Sequence, residues 1–178
     1  MGYKRVGDSW NAVDGSVTGF SFIGDNCPTY MKTESELQSA GFISSSRLVP
    51  GHDAARTYWG ESWRMPTIGE IRTLKSNTTW TWSSRNGVDG IKFTGKGDYA
   101  SKSIFLPLAG IGSGTAWQAW ENITQTGYLT WSSTHDSLLY ARAMKCSWGY
   151  SDGKLGITVG AGDNKSVGIQ IHPVRDAD

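Results

Sequence analysis

The hydrophobic period of the chain changes at Thr78, and this change restricts the fold more than any other feature. From there on, apolar residues form runs of strand length, separated by Gly, Asn, Asp and Ser. An alternation of period two places successive side chains on opposite faces of a strand. The second half is therefore predicted to be rich in β-sheet, and a helical bundle is not expected.

Turn signals divide this half into strands. Residues 79–82 and 90–95 flank Arg85-Asn86-Gly87, a sequence typical of a hairpin turn. Residues 103–110 are apolar on both parities, which predicts a central strand buried on both faces. Further strands are predicted over 127–134, 140–148, 155–160 and 167–174.

Helical signals lie in the first 77 residues. Thr67 and Glu70 have the spacing of a capping box, so a helix is predicted over 68–76, and Pro50 and Gly60 delimit another over 51–59. A shorter helix within 33–42 and an early strand over 16–24 are also predicted. Helices followed by strands, with no repeat or linker, indicate one α+β domain over residues 1–178.

Charge and hydropathy argue against two classes of partner. The chain has 17 Lys and Arg against 16 Asp and Glu, a formal net charge of +1, whereas phosphate-backbone binders normally have a basic excess. No apolar run approaches the roughly 20 residues of a membrane-spanning helix. The N-terminus also lacks the apolar stretch of a signal peptide. We therefore expect no nucleic-acid binding and no direct membrane insertion.

The sequence contains no motif of a common enzyme class. It has no Gly-x-Ser-x-Gly elbow, P-loop, His-Glu-x-x-His or dinucleotide fingerprint. Residues 160–166 resemble a phosphate loop but lack its Gly-Lys-Ser/Thr ending, and we interpret them as a turn between strands. Cys27 and Cys146 have no metal or disulfide spacing, so both are expected to be free, and no cofactor is predicted.

Several stretches, taken together, resemble one bacterial family. They are "HDAARTYWGESWRMPTIGEIRTL", "TWTWSSRNGVDGIKFTGKGDYASKSIFLPLAG", "TWSST" and "GIQIHPVR", in this order over about residues 50–175. They are similar to the C-type-lectin-like domain in surface proteins of gut and rumen bacteria and in their phages. Formylglycine-generating enzymes and the variable proteins of diversity-generating retroelements are similar too. The resemblance implies a C-type lectin-like fold, with two short helices, a small mixed or antiparallel sheet and long loops.

The resemblance gives residues 63–67 a scaffold role. It implies that Trp63 and Met65 enter the core, that carbonyls or a carboxylate hold Arg64, and that Pro66-Thr67 start the second helix. The residues expected to be buried are Trp63, Met65, Ile71, Leu74, Phe105, Leu106 and Trp131.

The chain departs from its apparent relatives at three points. His172 stands where the family's closing Gly-x-Ser-Val-Arg-Pro-Val run has arginine. The Glu-Pro-Asn, Gln-Pro-Asp and Trp-Asn-Asp triplets of calcium-dependent lectins do not occur. Only Cys146 could correspond to the reactive cysteine pair of formylglycine-generating enzymes. We therefore expect folding and binding without calcium, and no enzymatic activity.

The resemblance implies a ligand surface between "WSS" and the final strand. Met144 and Cys146 are expected to face the core, which directs Lys145 and Ser147 outward. Trp148 either caps the core or emerges from the Gly-rich segment that follows. The predicted ligand-binding residues are His135, Asp136, Tyr140, Lys145, Ser147, Trp148, Tyr150, Asp152, Asp163 and Asn164, with Trp117 and Trp120 at the rim.

This set of residues predicts a binding module. Rigid Tyr and Trp rings beside short polar side chains suit protein and carbohydrate ligands alike. The implied protein is an adhesin or receptor-binding protein, extracellular on a cell surface or on a phage tail, that recognises a cell-surface protein or glycan. A retroelement-diversified variable protein is one form of this prediction. The alternatives are an oxidase related to formylglycine-generating enzymes and a purely structural module of a surface assembly.

Overall fold

A computed structural model describes residues 3–6, 9–12, 27–108, 110–114, 116–118, 126–148 and 154–176. Over these residues the protein is a mixed α+β structure with three short α-helices, one more than the resemblance implied, and antiparallel strand pairs, which confirms the predicted α+β class. The early strand predicted over 16–24 lies outside the described residues.

The described residues form three α-helices, each preceded by a capping side chain, of which only Thr67 was predicted as a cap. They are α1 (Glu34–Ser39), α2 (Ala54–Trp59) and α3 (Ile68–Asn77). Thr67 and Glu70 form the predicted capping box, in which each side chain binds the other's backbone N–H. A 3-10 turn, Pro50–His52, precedes α2, so this helix starts later than predicted.

The strands form several small antiparallel sheets. In chain order they are β1 (Tyr3–Val6), β2 (Ser9–Ala12), β3 (Ile43–Ser44), β4 (Arg47–Leu48), β5 (Trp63–Arg64), β6 (Thr78–Arg85), β7 (Val88–Gly95), β8 (Ser103–Pro107), β9 (Ile111–Ser113), β10 (Ala116–Gln118), β11 (Thr126–His135), β12 (Tyr140–Trp148), β13 (Leu155–Asn164) and β14 (Val174–Arg175). The largest sheet has the order β13-β12-β11-β4-β3, and a three-stranded sheet has the order β6-β7-β8. The remaining pairs are β1-β2, β9-β10 and β5-β14.

The predicted hairpin is confirmed, but the strand after it is not central. Asn86 and Gly87 have φ values of 53° and 76°, as a two-residue turn between β6 and β7 requires. The prediction of a central strand over 103–110 is wrong, because β8 is an edge strand and Ile104 is 48% exposed. Phe105, on the other face of β8 from Leu106, is apolar for a local reason. Its ring covers Gly90 of the neighbouring strand β7, where an added Cβ would lie 2.5 Å from the ring.

Two predictions near the C-terminus are also wrong. Residues 160–164 continue β13, and the turn comes only at Asn164, whose side-chain oxygen accepts from the Ser166 N–H at 3.0 Å. Residues 167–173 form no strand beyond a single bridge between Gly168 and Gly112. Gln170 holds this segment instead, since its amide group donates to the carbonyl oxygens of Pro107, Tyr128 and Leu129 at 2.6–3.0 Å.

The main core lies between α3, the three-stranded sheet and the large sheet. Its buried members are Ile68, Ile71, Ile91, Phe93, Leu106, Leu108, Leu129, Met144, Cys146 and Ile157. A smaller core consists of Ala54, Ala55 and Met65. Burial is confirmed for Met65, Ile71 and Leu106, but the other predicted core residues are only half-buried: Trp63, Leu74, Phe105 and Trp131. Leu74 and Trp131 pack at the margins of the two cores, and Trp63 lies in the two-stranded β5-β14 ladder.

Arg64 is held by carboxylates, as the resemblance implied. Its guanidinium donates to both carboxylate oxygens of Glu70, at 2.8 and 2.6 Å, and to Asp176 at 2.8 Å. Bidentate pairs of this kind are among the stronger charge-assisted hydrogen bonds. The hydrogen bonds from Arg64 lower the pKa of Glu70 to about 2. The pairing therefore holds β5, the start of α3 and the C-terminal segment together.

The two most specific sequence motifs contact each other. The Ser133 N–H donates to the Pro66 carbonyl at 2.8 Å. The Thr134 hydroxyl accepts from the Ile68 N–H at 3.1 Å, one of the N–H groups at a helix start that has no partner within the helix. "WSST" therefore binds the N-terminus of the helix that "WRMPT" begins.

Asp53 is the buried polar centre of this region. Its carboxylate accepts from the N–H groups of Ala55 and Arg56, at 2.9 and 3.2 Å, and thereby caps α2. The same carboxylate accepts from the Met65 N–H at 3.0 and 2.9 Å. One side chain thus fixes the start of α2 and the approach to α3.

Replacing Asp53 should therefore destabilise the whole region. Asp53→Ala removes a helix cap and leaves the buried Met65 N–H without an acceptor, for an expected loss of about 3 kcal/mol in the free energy of unfolding. Urea denaturation followed by circular dichroism measures this loss. Asp98→Ala, at an exposed position, is the matched control and should change the free energy by less than about 0.5 kcal/mol. Equal effects of the two substitutions would contradict the role given to Asp53.

Candidate functional site

Strand pairing brings five of the twelve predicted ligand residues together. Tyr140 lies opposite Asn164, and Ala141 lies opposite both His135 and Asp163. One end of the large sheet therefore carries five predicted residues: His135, Asp136, Tyr140, Asp163 and Asn164. Ser147 is half-buried and lies near the other end, opposite Gly156.

The structure does not describe the side chains of five predicted ligand residues, four of which are aromatic. Trp120, Tyr150 and Asp152 lie outside the described residues. Trp117 and Trp148 lie in β10 and β12, but their side chains are not among the described ones. Their role in ligand contact therefore stays a prediction.

Lys145 does not project freely into solvent as predicted. Its ammonium pairs with the carboxylate of Asp163 and lies 5.2 Å from the centre of the Tyr128 ring, and the two charged side chains are only 19% and 17% exposed. Ala143, on the same face of β12, is buried, and so are Met144 and Cys146 on the other face. The sheet is therefore covered on both faces here. Burial and the negative charge of Asp163 raise the pKa of Tyr128 above its usual range.

Asp136 has a fixed position beside the sheet. Its carboxylate pairs with Arg142 at 2.6 Å, and Arg142 also donates to the Gly160 carbonyl at 3.1 Å. A Cβ at Gly162 would lie 2.9 Å from an Asp136 oxygen, so this close approach requires glycine. The ion pair holds the loop between β11 and β12 against β13.

Exposed apolar side chains cluster at this loop. Met31 is 56% exposed, Leu138 is 44% exposed and Tyr140 is 45% exposed. The Met31 N–H donates to the Leu138 carbonyl at 2.9 Å, so the two residues are adjacent. We call these three residues, with Asp136 and Asn164, the tip.

The backbone around the tip is strained. Met31, Ser45 and Ser46 have φ values of 57°, 48° and 62°, in the left-handed region, which costs a residue other than glycine roughly 1–2 kcal/mol. Met31 contacts Leu138, and the Ser46 carbonyl accepts from the His135 N–H at 2.8 Å. At Ser45 and Ser46 these values belong to the two-residue turn between β3 and β4, a turn type that has positive φ at both positions. The loop between β11 and β12 is therefore held from two sides by strained segments.

Met31 and Leu138 were not among the predicted ligand residues. Leu138 and Leu139 stand together in an otherwise polar loop, "THDSLLY", and this pair was an available signal. Two adjacent leucines on a turn cannot both face the core. For Met31, which reaches the tip through a contact distant in sequence, we find no such signal.

Two histidines are neutral in the folded protein near pH 7. Burial lowers the pKa of His135, and Lys165 acts in the same direction against the opposing effect of Glu34 and Asp136. Burial also lowers the pKa of His172, whose Nε2 is enclosed and has no hydrogen-bond partner among the described residues. Neutral imidazole suits both positions, because each environment disfavours the charged ring.

Both thiols are free. The Cys27 thiol is half-buried and donates to the Lys165 carbonyl at 3.3 Å. Cys146 is buried in the main core, and burial raises the pKa of its thiol to about 12. A protonated, enclosed thiol is a poor nucleophile.

The two thiols should react differently with alkylating agents. Iodoacetamide should modify at most Cys27 in the native protein and should modify both thiols after unfolding, because only then is Cys146 accessible and ionisable. Mass spectrometry of the non-reduced protein counts the adducts. Two adducts under native conditions, or a bridged Cys27-Cys146 species, would contradict the structure.

Stability should fall in mild acid because of His172. Its pKa is lower in the folded state than in the unfolded chain, so the unfolded chain binds the additional proton. The contribution of neutral His172 is complete above the unfolded pKa of about 6.5 and is lost as the pH falls below that value. The urea midpoint should therefore be lower at about pH 5.5 than at about pH 7.5, and His172→Gln should reduce the difference. His52→Gln, at an exposed histidine, is the control, and the opposite ranking of the two variants would refute the assignment.

The chain was compared with known proteins in three ways. Family models, curated proteins and solved structures gave no match. Within the described residues, no group of three or more His, Cys, Asp or Glu side chains could hold a metal ion. No helix in the described part of the chain is long and apolar enough to cross a membrane. The proposal of a function therefore rests on the geometry of the tip and of the loop that carries part of it.

Proposed function

We propose that the protein is a ligand-binding display module of the C-type lectin-like type, with the tip as its contact surface. Its ligand is a protein or glycan on a cell surface, and its place is extracellular, on a cell surface or on a phage tail. The observation that carries the proposal is the exposure of Met31, Leu138 and Tyr140 at one place, where the segment before α1 binds the loop between β11 and β12 through the Met31 N–H.

The chemistry of the tip suits recognition. An aromatic ring and two flexible apolar side chains stand beside the carboxylate of Asp136 and the amide of Asn164. Interfaces derive most of their affinity from a few such anchors, with polar groups at the margin. A loop fixed before binding loses less conformational entropy when the ligand arrives.

The lectin-like part of the proposal rests on the contact between "WRMPT" and "WSST". Arg64 pairs with Glu70 and Asp176, while Pro66 and Ile68 bind Ser133 and Thr134. This contact fixes the large sheet relative to α3 and leaves the loop between β11 and β12 at the sheet's end. The motifs that carry the resemblance therefore act together as a scaffold for a display loop.

Of the alternatives, a structural module is the stronger. Exposed apolar residues are also what a contact between subunits of an assembly would bury. An oxidase related to formylglycine-generating enzymes is disfavoured, because Cys146 is enclosed in the core with a raised pKa. Gel filtration separates the first alternative from ligand binding, since a structural module should self-associate through the tip.

Tyr140→Ala tests the tip as a ligand surface. A glycan microarray and flow cytometry with whole bacterial cells first identify the bound ligand. The substitution should then weaken binding by about 2 kcal/mol or more, because an exposed aromatic anchor is lost. Tyr99→Ala removes an equally large, 70% exposed ring far from the tip in sequence and is the matched control.

Three results bear on this prediction. Equal binding by Tyr140→Ala and Tyr99→Ala, with unchanged circular dichroism, would place the contact surface elsewhere. Binding to neither glycans nor cells, together with self-association that Leu138→Ser abolishes, would favour the structural alternative. Loss of binding in Tyr140→Ala alone would support the tip.

A further inference from the structure

A cavity adjoins the sheet face that carries Trp131. Its walls come from α1, α2, the β3-β4 hairpin, β11 and residues 165–171, and its volume is about 1020 Å³. Small-molecule sites usually have volumes of about 300–1,000 Å³. Trp59, one of its lining residues, is 53% exposed, so the cavity reaches solvent beside α2. The cavity is large enough for a small organic molecule.

Most of the wall is apolar or aromatic. The rings of Phe42, Tyr58 and Trp131 line it together with Leu48 and Ile171. Several of its polar side chains already have protein partners: the Ser132 hydroxyl donates to Arg142 at 2.9 Å and the Gln170 amide to Pro107 at 2.6 Å. Such a wall favours a ligand with a flat or bulky apolar body.

The described side chains that line the cavity include cationic but no acidic groups. Lys165 is a cation among the described lining residues, His135 is neutral near pH 7, and no Asp or Glu is among these residues. Asp136 and Glu34, which act electrostatically on His135, have other partners. Asp136 pairs with Arg142, and Glu34 accepts from Ser46 and Gln38. An anionic group therefore has a complementary partner in the cavity, whereas a cationic group has none.

Lys165 is the charged group best placed for this role. It is half-buried, its ammonium donates to the Thr29 carbonyl at 3.0 Å, and no carboxylate of the described residues pairs with it. An ammonium group has three donors, so donors remain after the bond to Thr29. Burial lowers the pKa of Lys165, against the opposing effect of Cys27 and Asp136.

We propose that this cavity binds a small aromatic carboxylate, with the acid group at Lys165 and the ring against Trp131 and Tyr58. The cavity shares no residue with the tip, although Lys165 follows Asn164 in the chain, and the proposal does not depend on the proposed function. A carboxylate forms charge-assisted hydrogen bonds with the ammonium, and the apolar body occupies the aromatic wall.

Isothermal titration calorimetry with 2-naphthylacetate, 2-naphthylacetamide and decanoate tests the proposal. The aromatic acid should bind at one site, at least tenfold more tightly than its neutral amide and than the aliphatic acid. Lys165→Met should weaken binding of the acid at least tenfold and leave the amide unchanged. Lys165→Arg, which keeps the charge, should retain most of the affinity for the acid.

A second variant does not depend on Lys165, whose replacement also removes the bond to Thr29. Leu48→Trp fills part of the cavity and should weaken binding of the acid and the amide alike. Tyr140→Ala should leave naphthylacetate binding unchanged, so failure at the tip and failure in the cavity can be told apart. The proposal is overturned if naphthylacetate does not bind, if acid and amide bind equally, or if decanoate binds more tightly than the aromatic acid.

Discussion

The carboxylate of Asp53 joins two segments that are separate in sequence, the start of α2 and Met65, which precedes α3. It is buried and has no cationic partner among the described ion pairs, so backbone N–H groups provide its stabilisation, two from the start of α2 and one from Met65. An ionised group away from water needs such donors. Once Met65 is fixed, Arg64 on one side reaches Glu70, and Pro66 on the other presents its carbonyl to Ser133. The position of β11 relative to α3 follows from this sequence of contacts.

Local signals predicted local structure well. The capping box at Thr67 and the turn at Asn86-Gly87 are complete within a few residues, so the sequence contains all the information they need. The position of β8 at a sheet edge is different. An apolar run in the sequence does not indicate whether the strand has a neighbour on one side or on both. In β8, Phe105 is apolar because its ring packs over Gly90.

The candidate site was only partly predictable, because many of its contacts join residues that are distant in sequence. Counting parity along β12 correctly placed Met144 and Cys146 in the core. It could not show that Asp163 would pair with Lys145, because the two residues lie on different strands and are not opposite each other in the register. Nor could it show Met31 beside Leu138, more than a hundred residues away. Side chains that meet only through tertiary structure leave little trace in a single sequence.

The loop between β11 and β12 is held mainly through its backbone, and this affects how the protein can evolve. The N–H and C=O groups of His135, Ser137, Leu138 and Leu139 bind other backbone groups, namely those of Ser46, Tyr140, Met31 and Lys165. Such bonds persist when the side chains change. Positions 138 and 140 can therefore accept many amino acids while the loop keeps its conformation, so the chemistry of this surface can change without loss of the fold.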